Sequence, residues 1–243
     1  MPKAASKLSP QTTPSLVETV PVALKTRERI LEGARILFNS YGVETVSTRQ
    51  IASELHISHG NLCYHFPRKE DIILALYEQL VERMNASIQT TASIPINKKD
   101  SSKKQPQSSI KTEMHLRTLV EGISSGFELL NRYKFLMLDF VGVMRKMPKI
   151  KEHYATLVAL RKKQFSAIRQ YCVEQDWMRA DMVQELDAFH NEAMFIIGDF
   201  WLASAEILYN GDEKKKISNY AKVLESIIIP LLTEEGRKEL KKK

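Results

Sequence analysis

The stretch STRQIASELHISHGNLCYHF, residues 47–66, contains two places where a helix can begin. Ser47 stands three residues before Gln50, and this spacing is typical of a capping box, in which each side chain bonds the other residue's backbone N–H. Ser58 is a second candidate N-cap, because its hydroxyl can accept a hydrogen bond from an N–H of the first turn. The stretch therefore predicts two short helices in succession.

The two helices are predicted over about residues 47–54 and 58–64, with a tight turn at residues 55–57 between them. Leu62 and Phe66 would anchor the second helix in the core. Two short helices joined by such a turn form a helix-turn-helix when a further helix packs behind them. In this motif the second helix lies in the DNA major groove, with its first residues facing base edges.

A preceding helix with a suitable apolar face is predicted in KTRERILEGARILFNSY, residues 25–41, and Gly42 suits its C-terminal cap. After Pro67, which disfavours helical continuation, a further helix is predicted from Arg68 to about Met84. The apolar residues of the preceding helix recur at helical spacing and form one stripe. They are Ile30, Leu31, Ala34, Leu37, Phe38 and Tyr41.

The histidines and the cysteine of this region raise the alternative of a metal site. His59 and Cys63 are four residues apart and would share one helical face, with His56 and His65 close in sequence. A zinc site needs about four ligands in a closed geometry. His65 would point away from the other two, and no second Cys/His cluster is near, so no metal site is predicted. Cys63 also lacks a CxxC partner for redox chemistry.

The segments TRERIL…A…LF…YG, STRQIA, ISHGNLCYHF and RKEDI occur in this order across residues 25–80 and resemble the tetracycline-repressor (TetR) family of bacterial transcriptional regulators. The resemblance implies a homodimer whose amino-terminal domains bind a palindromic operator in double-stranded DNA. It also implies a larger helical domain that dimerises and binds a small-molecule effector, which would release the repressor from its operator. The second domain carries no diagnostic subfamily motif.

The resemblance further implies which residues contact DNA. The family contacts phosphate, and sometimes a base, from the start of the supporting helix, and it faces base edges from the start of the recognition helix. An aromatic residue and a histidine then grip the DNA backbone, and a lysine of the next helix binds phosphate. In that order the matching residues are Ser47, Thr48 and Arg49, then His59, Gly60 and Asn61, then Tyr64 and His65, and finally Lys69. Ser58 joins this set because its hydroxyl can both donate and accept hydrogen bonds.

Two positions depart from the family pattern. Cys63 stands where the family most often has tyrosine, so one phosphate contact or stacking surface is expected to be missing. His56 replaces a common turn glycine, which predicts strain or an altered turn.

Composition and charge limit the function less than the motif does. The chain has 243 residues, a net charge of +7 and a pI near 9.3, but residues 25–83 contain eight basic and eight acidic residues. The basic excess comes from residues 98–104, from 214–216 and from the terminal RKELKKK, so a pI argument alone does not indicate DNA binding. Two cysteines make no disulfide framework, and no apolar run has the length of a membrane span. A cytoplasmic protein without membrane contact is expected.

An all-α fold is predicted, with a three-helix amino-terminal domain and a larger carboxyl-terminal bundle that dimerises. The predicted organisation is a flexible arm over 1–24, a DNA-binding domain over 25–68, a connecting helix over 69–89, a linker or loop over 90–111 and an effector and dimerisation domain over 112–243. The lysine-rich part of the linker is interpreted as a solvated loop rather than a DNA-binding arm. The helices of the last domain are predicted over about 112–131, 132–147, 149–176, 181–209 and 214–232.

Two acids stand alone in apolar runs of the last domain, Asp139 and Asp199. A carboxylate needs a partner if it is buried, so these acids, with His153 and His190, are candidates for effector binding. Arg161 and Tyr171 are further possible partners of the acids, or the acids could face a cationic ligand. The alternative is that each acid lies at the edge of its helix or in a structural ion pair.

The last two long helices are the predicted dimer interface, because they have more apolar residues than one core face requires. No catalytic constellation and no cofactor motif are evident, so an enzyme is not predicted. Two alternatives stay open: a ligand carrier or enzyme built on a helical bundle, and a regulator controlled by a protein partner. The apolar residues in question are Phe195, Ile196, Phe200, Trp201, Leu208, Tyr220, Val223, Leu224, Ile227 and Ile228.

Overall fold

The computed structural model describes residues 20–21, 23–92 and 115–242, and in these ranges the regular structure is helical, apart from one isolated β-bridge. The all-α prediction is confirmed. The predicted linker beyond residue 92 and most of the predicted arm lie outside the described residues. The helices are α1 (Thr26–Tyr41), α2 (Thr48–Glu54), α3 (His59–His65), α4 (Lys69–Ala92), α5 (Leu116–Arg132), α6 (Lys134–Leu138), α7 (Phe140–Lys146), α8 (Pro148–Glu174), α9 (Ala180–Leu208), α10 (Glu213–Ile228) and α11 (Glu234–Lys241).

The chain forms two compact units that divide between Ile73 and Leu74. In the first unit α2 packs on both α1 and α3. The predicted apolar stripe of α1 is buried except at Tyr41, which is exposed, and Leu62 and Phe66 are also buried, as predicted. This burial fixes the angle between the two short helices and leaves the other face of α3 exposed.

The second unit is a bundle in which α9 packs against α6, α8 and α10, while α5 packs against α10 and α11. Phe127 of α5 stacks on Trp201 of α9, with ring centroids 4.8 Å apart. An apolar cluster around Cys172 joins Leu116 of α5 to Leu231 and Leu232, which precede α11. Every helix of the described ranges is too short or too polar to cross a membrane.

Two features of this unit differ from the sequence prediction. Residues 132–147 form two short helices instead of one, because the backbone leaves helical geometry at Asp139, with φ −109° and ψ 30°. The sequence analysis also missed α11. This helix is short and charged, and it is stabilised by tertiary contacts: Thr233 caps it and donates its backbone N–H to the Trp177 carbonyl over 3.0 Å. A β-carbon at Gly236 would overlap that same carbonyl oxygen, which explains the glycine.

Candidate functional site

The predicted caps of the helix-turn-helix are present. The Ser47 hydroxyl accepts a hydrogen bond from the Gln50 N–H over 3.2 Å, and the Gln50 side chain accepts one from the Ser47 N–H over 2.9 Å. The Ser58 hydroxyl accepts from the Asn61 N–H over 3.1 Å.

His56, in the turn between the helices, has φ +52°, a left-handed conformation that favours glycine. The expected strain at this departure from the family pattern is confirmed.

The surface of the helix-turn-helix unit carries the residues that were predicted to contact DNA. Tyr64 is 83% exposed, and its ring meets the His65 ring edge-on with centroids 5.2 Å apart. Thr48, His65 and Lys69 are half-buried, and the other predicted residues are exposed. Those exposed residues are Ser47, Arg49, Ser58, His59, Gly60, Asn61 and Tyr64. The predicted set thus lies at the starts of α2, α3 and α4 and on the solvent side of α3.

Two of these side chains are joined directly. Nε2 of His59 lies 3.0 Å from the Thr48 hydroxyl, so the first residues of α2 and α3 are bonded to each other. The Cys63 sulfur is 3.5 Å from the same nitrogen. These contacts hold the imidazole at the first residue of α3. Among the described side chains, no three His, Cys, Asp or Glu residues form a group that could hold a metal ion.

Gly60 has no structural reason to be glycine. Its φ is not positive, and a β-carbon built on it would meet nothing within 4 Å. Glycine in a helix is less favourable than alanine by up to about 1 kcal/mol. The described structure therefore gives no steric or conformational reason for glycine at this position.

Lys69 has a structural role that the sequence did not indicate. Its ammonium donates to the carbonyls of Val43 and Val46, over 2.8 and 3.3 Å. Those carbonyls belong to the connection between α1 and α2, so the lysine ties that connection to the start of α4. An ammonium has three hydrogens, and one therefore remains for a further acceptor such as a phosphate.

The second unit contains a cavity of about 320 Å³, within the range of small-molecule sites. Its wall is mostly apolar and comes from α4 to α10. On α8 the lining residues recur at helical spacing on one face. That stripe includes Ile150, Tyr154, Leu157, Arg161, Phe165, Ile168 and Cys172.

Two of the four predicted effector-binding residues lie in the cavity wall, Asp199 and His190. The other two do not. Asp139 lies at the junction of α6 and α7, with its carboxylate against the Gly142 backbone. His153 is on the exposed side of α8, where its Nδ1 lies 2.9 Å from the Tyr77 hydroxyl. Isolated charge in an apolar run therefore identified a cavity residue in one case and a helix junction in the other.

Asp199 is bound by a residue that the sequence analysis missed. The Tyr154 hydroxyl donates to Oδ2 of Asp199 over 2.5 Å. Burial raises the pKa of Asp199 to about 6. The hydrogen bond from Tyr154 lowers the pKa and so offsets part of this effect. Burial, together with the neighbouring carboxylate, holds the pKa of Tyr154 far above its usual range, so this residue stays a hydrogen-bond donor. Tyr154 could have been found from the sequence through the helical spacing of the α8 stripe, of which it is a member.

The other polar residues considered as partners of the acids are held by contacts within the protein. His190 has its two ring nitrogens 2.9 and 3.1 Å from the carbonyl oxygens of Leu186 and Ile227, which anchors α9 to the end of α10. Tyr171, a proposed partner of the acids, instead meets the Trp177 ring edge-on. Arg161 bonds neutral amides rather than either acid.

Comparison with known proteins decides the family. The TetR model described as "Bacterial transcriptional repressor" matches residues 99–240, which is more than half of the chain. This chain belongs to the TetR family. A second model, described as "Bacterial regulatory proteins, tetR family", matches residues 30–76, which include the helix-turn-helix described above.

Curated TetR-type relatives match this chain over short lengths. An HTH-type transcriptional regulator of Staphylococcus aureus is 46% identical over 50 residues, which are 21% of this chain and 27% of that protein. An HTH-type transcriptional repressor of Mycobacterium tuberculosis is 35% identical over 60 residues, which are 25% of this chain and 32% of that protein. The matches thus span about a third or less of these relatives.

Solved structures of TetR-family regulators share the fold over most of the chain. A regulator from Marinobacter aquaeolei is 21% identical with a TM-score of 0.71, covering 89% of this chain and 96% of that one. A putative transcriptional regulator from Saccharomonospora viridis, solved in complex with choline, is 20% identical with a TM-score of 0.60. The match covers 86% of this chain and 97% of that one. At these identities the likeness shows the fold alone.

Proposed function

We propose that this TetR-family chain is a DNA-binding repressor, which binds a palindromic operator as a dimer and is released by a small molecule bound in the cavity of the second unit. Residues 25–68 would be the DNA-binding domain and residues 112–243 the effector and dimerisation domain, with residues 69–89 connecting them. The observation that carries the proposal is the exposed face of α3, where Tyr64 is 83% exposed and Gly60 leaves open space.

The exposed face has the chemistry of a DNA-reading surface. Exposed hydroxyls, an amide and an imidazole occupy the starts of α2 and α3, and such short or planar groups bond phosphates and base edges. The helix-turn-helix unit has no overall basic excess, so these specific contacts, rather than net charge, would carry sequence preference. Two copies related by a two-fold axis would insert their α3 helices into successive major grooves about 34–36 Å apart.

Dimerisation is supported by an apolar face on α9 that the described chain leaves uncovered. Phe189, Ile196, Phe200 and Ile207 follow each other at intervals of seven, four and seven residues and are 73%, 56%, 43% and 77% exposed. Side chains at these intervals lie on one helical face. Val223 of α10 is also exposed, whereas Trp201 and Leu224 from the predicted interface set are buried in the core. A contiguous exposed apolar surface of this kind is typical of an interaction site.

The experiment that tests this proposal is selection of genomic DNA fragments by the purified protein, followed by footprinting at two salt concentrations. We expect a protected palindrome whose affinity falls steeply with salt, because phosphate contacts release counterions. Tyr64→Ala should abolish the footprint, and Tyr41→Ala, a change of another exposed tyrosine in the same unit, should preserve it. Binding without sequence preference in the wild-type protein would contradict the proposal.

A further inference from the structure

The guanidinium of Arg161 is a buried charge without a counter-charge. The residue is 4% exposed, and its two hydrogen bonds go to the neutral amide oxygens of Gln164, at 2.5 Å, and of Asn85. In the part of the chain that the structure describes, no carboxylate forms an ion pair with it. Burying a charge is costly unless an opposite charge accompanies it. Consistently, burial lowers the pKa of Arg161.

The other charged groups of the cavity wall differ from Arg161 in how their charge is balanced. Arg169 is equally buried, but it is 2.6 Å from the carboxylate of Asp187 and 2.8 Å from the Asn191 amide oxygen. Asp199 has the neutral Tyr154 hydroxyl as its partner, but burial raises its pKa to about 6, so a proton can neutralise it. A guanidinium cannot lose its charge in this way, so the permanent charge that lacks an opposite partner in the wall is positive.

We propose that the cavity binds an amphipathic anion, a molecule with one carboxylate on an apolar body, and that Arg161 binds the carboxylate. This inference rests on the proposed ligand-binding function of the same cavity. A guanidinium matches a carboxylate geometrically, since it presents parallel N–H donors to both oxygens. The apolar side chains that flank Arg161 on α8, including Leu157, Val158 and Phe165, would cover the body of the ligand.

The dimensions of the cavity set the size of this ligand. An engineered apolar cavity of about 150 Å³ holds one benzene molecule, so 320 Å³ suits a ligand of about twelve non-hydrogen atoms. Along α8, Arg161 lies seven residues beyond Tyr154, which corresponds to about 10 Å of helix axis. The carboxylate would thus bind about two helical turns away from the Tyr154–Asp199 pair, which limits repulsion between the two acids.

The test compares three probes that share a ten-carbon chain and differ in the head group: decanoate, decan-1-ol and decylamine. Binding to the full-length wild-type protein is measured by calorimetry and by thermal stabilisation. We expect decanoate to bind at least about tenfold more tightly than decan-1-ol, since hydrogen bonds to charged groups contribute more than neutral ones. Decylamine should bind most weakly. Because this comparison uses the wild-type protein, it does not depend on the folding of a variant.

Variants then assign the preference to one residue. Arg161→Met should remove the advantage of decanoate while decan-1-ol binds as before, and Arg145→Met, at an exposed arginine of α7, should leave the advantage intact. Equal binding of decanoate and decan-1-ol by the wild-type protein would overturn the inference, as would tighter binding of decylamine or no binding of any probe. Operator binding by the same preparation is measured separately, so these results leave the proposed DNA-binding function to be judged on its own evidence.

Discussion

The Lys69 ammonium lies 2.8 Å from the carbonyl oxygen of Val43 and so joins the first residue of α4 to the connection between α1 and α2. In the family pattern this lysine binds phosphate. Here it also satisfies two backbone acceptors, since it bonds Val46 as well. Stability of the first unit and DNA binding should therefore depend on the same side chain.

Replacing Lys69 should test this double role. Lys69→Ala removes both carbonyl contacts, and we expect it to lower the free energy of unfolding by about 1–2 kcal/mol as well as weakening operator binding. Tyr64→Ala, at an exposed ring, should weaken operator binding without a comparable loss of stability. Urea unfolding and fluorescence anisotropy with operator DNA measure the two effects. An unchanged urea midpoint for Lys69→Ala would show that the carbonyl contacts contribute nothing.

Gly60→Ala should separate stability from binding in the opposite direction. Alanine is the better helix former, and open space surrounds the position, so the free energy of unfolding should stay the same or rise by up to about 1 kcal/mol. Operator affinity should fall by about tenfold or more, which corresponds to one lost close contact. Urea unfolding and fluorescence anisotropy with operator DNA measure the two effects. Full operator affinity of Gly60→Ala would show that Gly60 does not lie in the DNA interface.

His56→Gly should stabilise the protein. The left-handed conformation at φ +52° is unfavourable for a residue with a β-carbon. Glycine removes this strain but loses more chain entropy on folding, and we expect the net increase in the free energy of unfolding to be about 0.5–1 kcal/mol. Asp176, with φ +58°, provides a matched position in the second unit, and Asp176→Gly should act in the same direction. Thermal and urea unfolding measure both changes. Destabilisation by both glycines would mean that chain entropy outweighs the strain.

Asp199→Asn should stabilise the protein at neutral pH and do so less in acid. Burial raises the pKa of Asp199 to about 6, whereas an unfolded aspartate titrates near 3.9. Between these values the folded state holds a proton that the unfolded state has released, so this group lowers the free energy of unfolding as pH rises, and the loss is complete above about pH 6. Asparagine carries no charge and still accepts from Tyr154.

The increase in the free energy of unfolding that Asp199→Asn causes should be larger at pH 7.5 than at pH 4.5 by about 1–2 kcal/mol. Urea unfolding of both proteins at both pH values measures it as a double difference, which cancels the titration of all other groups. Asp187→Asn is a contrasting variant. Hydrogen bonds from Ser166 and Arg169 outweigh the burial of that carboxylate and lower its pKa, so its loss should destabilise the protein at pH 7.5. A gain from Asp199→Asn that does not vary with pH would contradict the burial argument.

The two cysteines should react differently with a thiol reagent. Cys172 is fully buried, and burial raises its pKa to about 12, so it should stay unmodified in the native protein. Cys63 is half-buried on α3 and should react, and bound operator should protect it. Mass spectrometry of the labelled protein counts the modified thiols. Cys63→Ser should abolish labelling of the folded protein. Modification of Cys172 before Cys63 in the folded protein would contradict the described burial of Cys172.

The amino-terminal helices could be predicted closely because their signals are local. Ser47, Gln50 and Ser58 specify caps within four residues of themselves, and Leu62 with Phe66 specifies which face of α3 is buried. The break at Asp139 could not be predicted, since residues 135–144 contain no proline and no charge other than Asp139 itself. Nor could α11, whose short charged sequence depends on contacts with Trp177, which is distant in the chain.

The cavity residues show the same limit. Asp199 was identified because it interrupts an apolar run, but its partner Tyr154 is 45 residues away and lies on a different helix. The buried state of Arg161 depends on Asn85, which is 76 residues away. Helical spacing along α8 predicts which residues share a face, but only tertiary packing determines which charges meet an opposite charge.

The helix α9 has two different apolar faces. Met194, Phe195 and Gly198 line the cavity, whereas Phe189 and Ile207 project from the opposite side of the same helix. One backbone therefore carries both surfaces, and a small rotation or bend of it shifts them together. If the cavity takes a ligand and the outer face pairs with a second copy, as proposed above, a movement of α9 on ligand binding would displace the pairing surface as well.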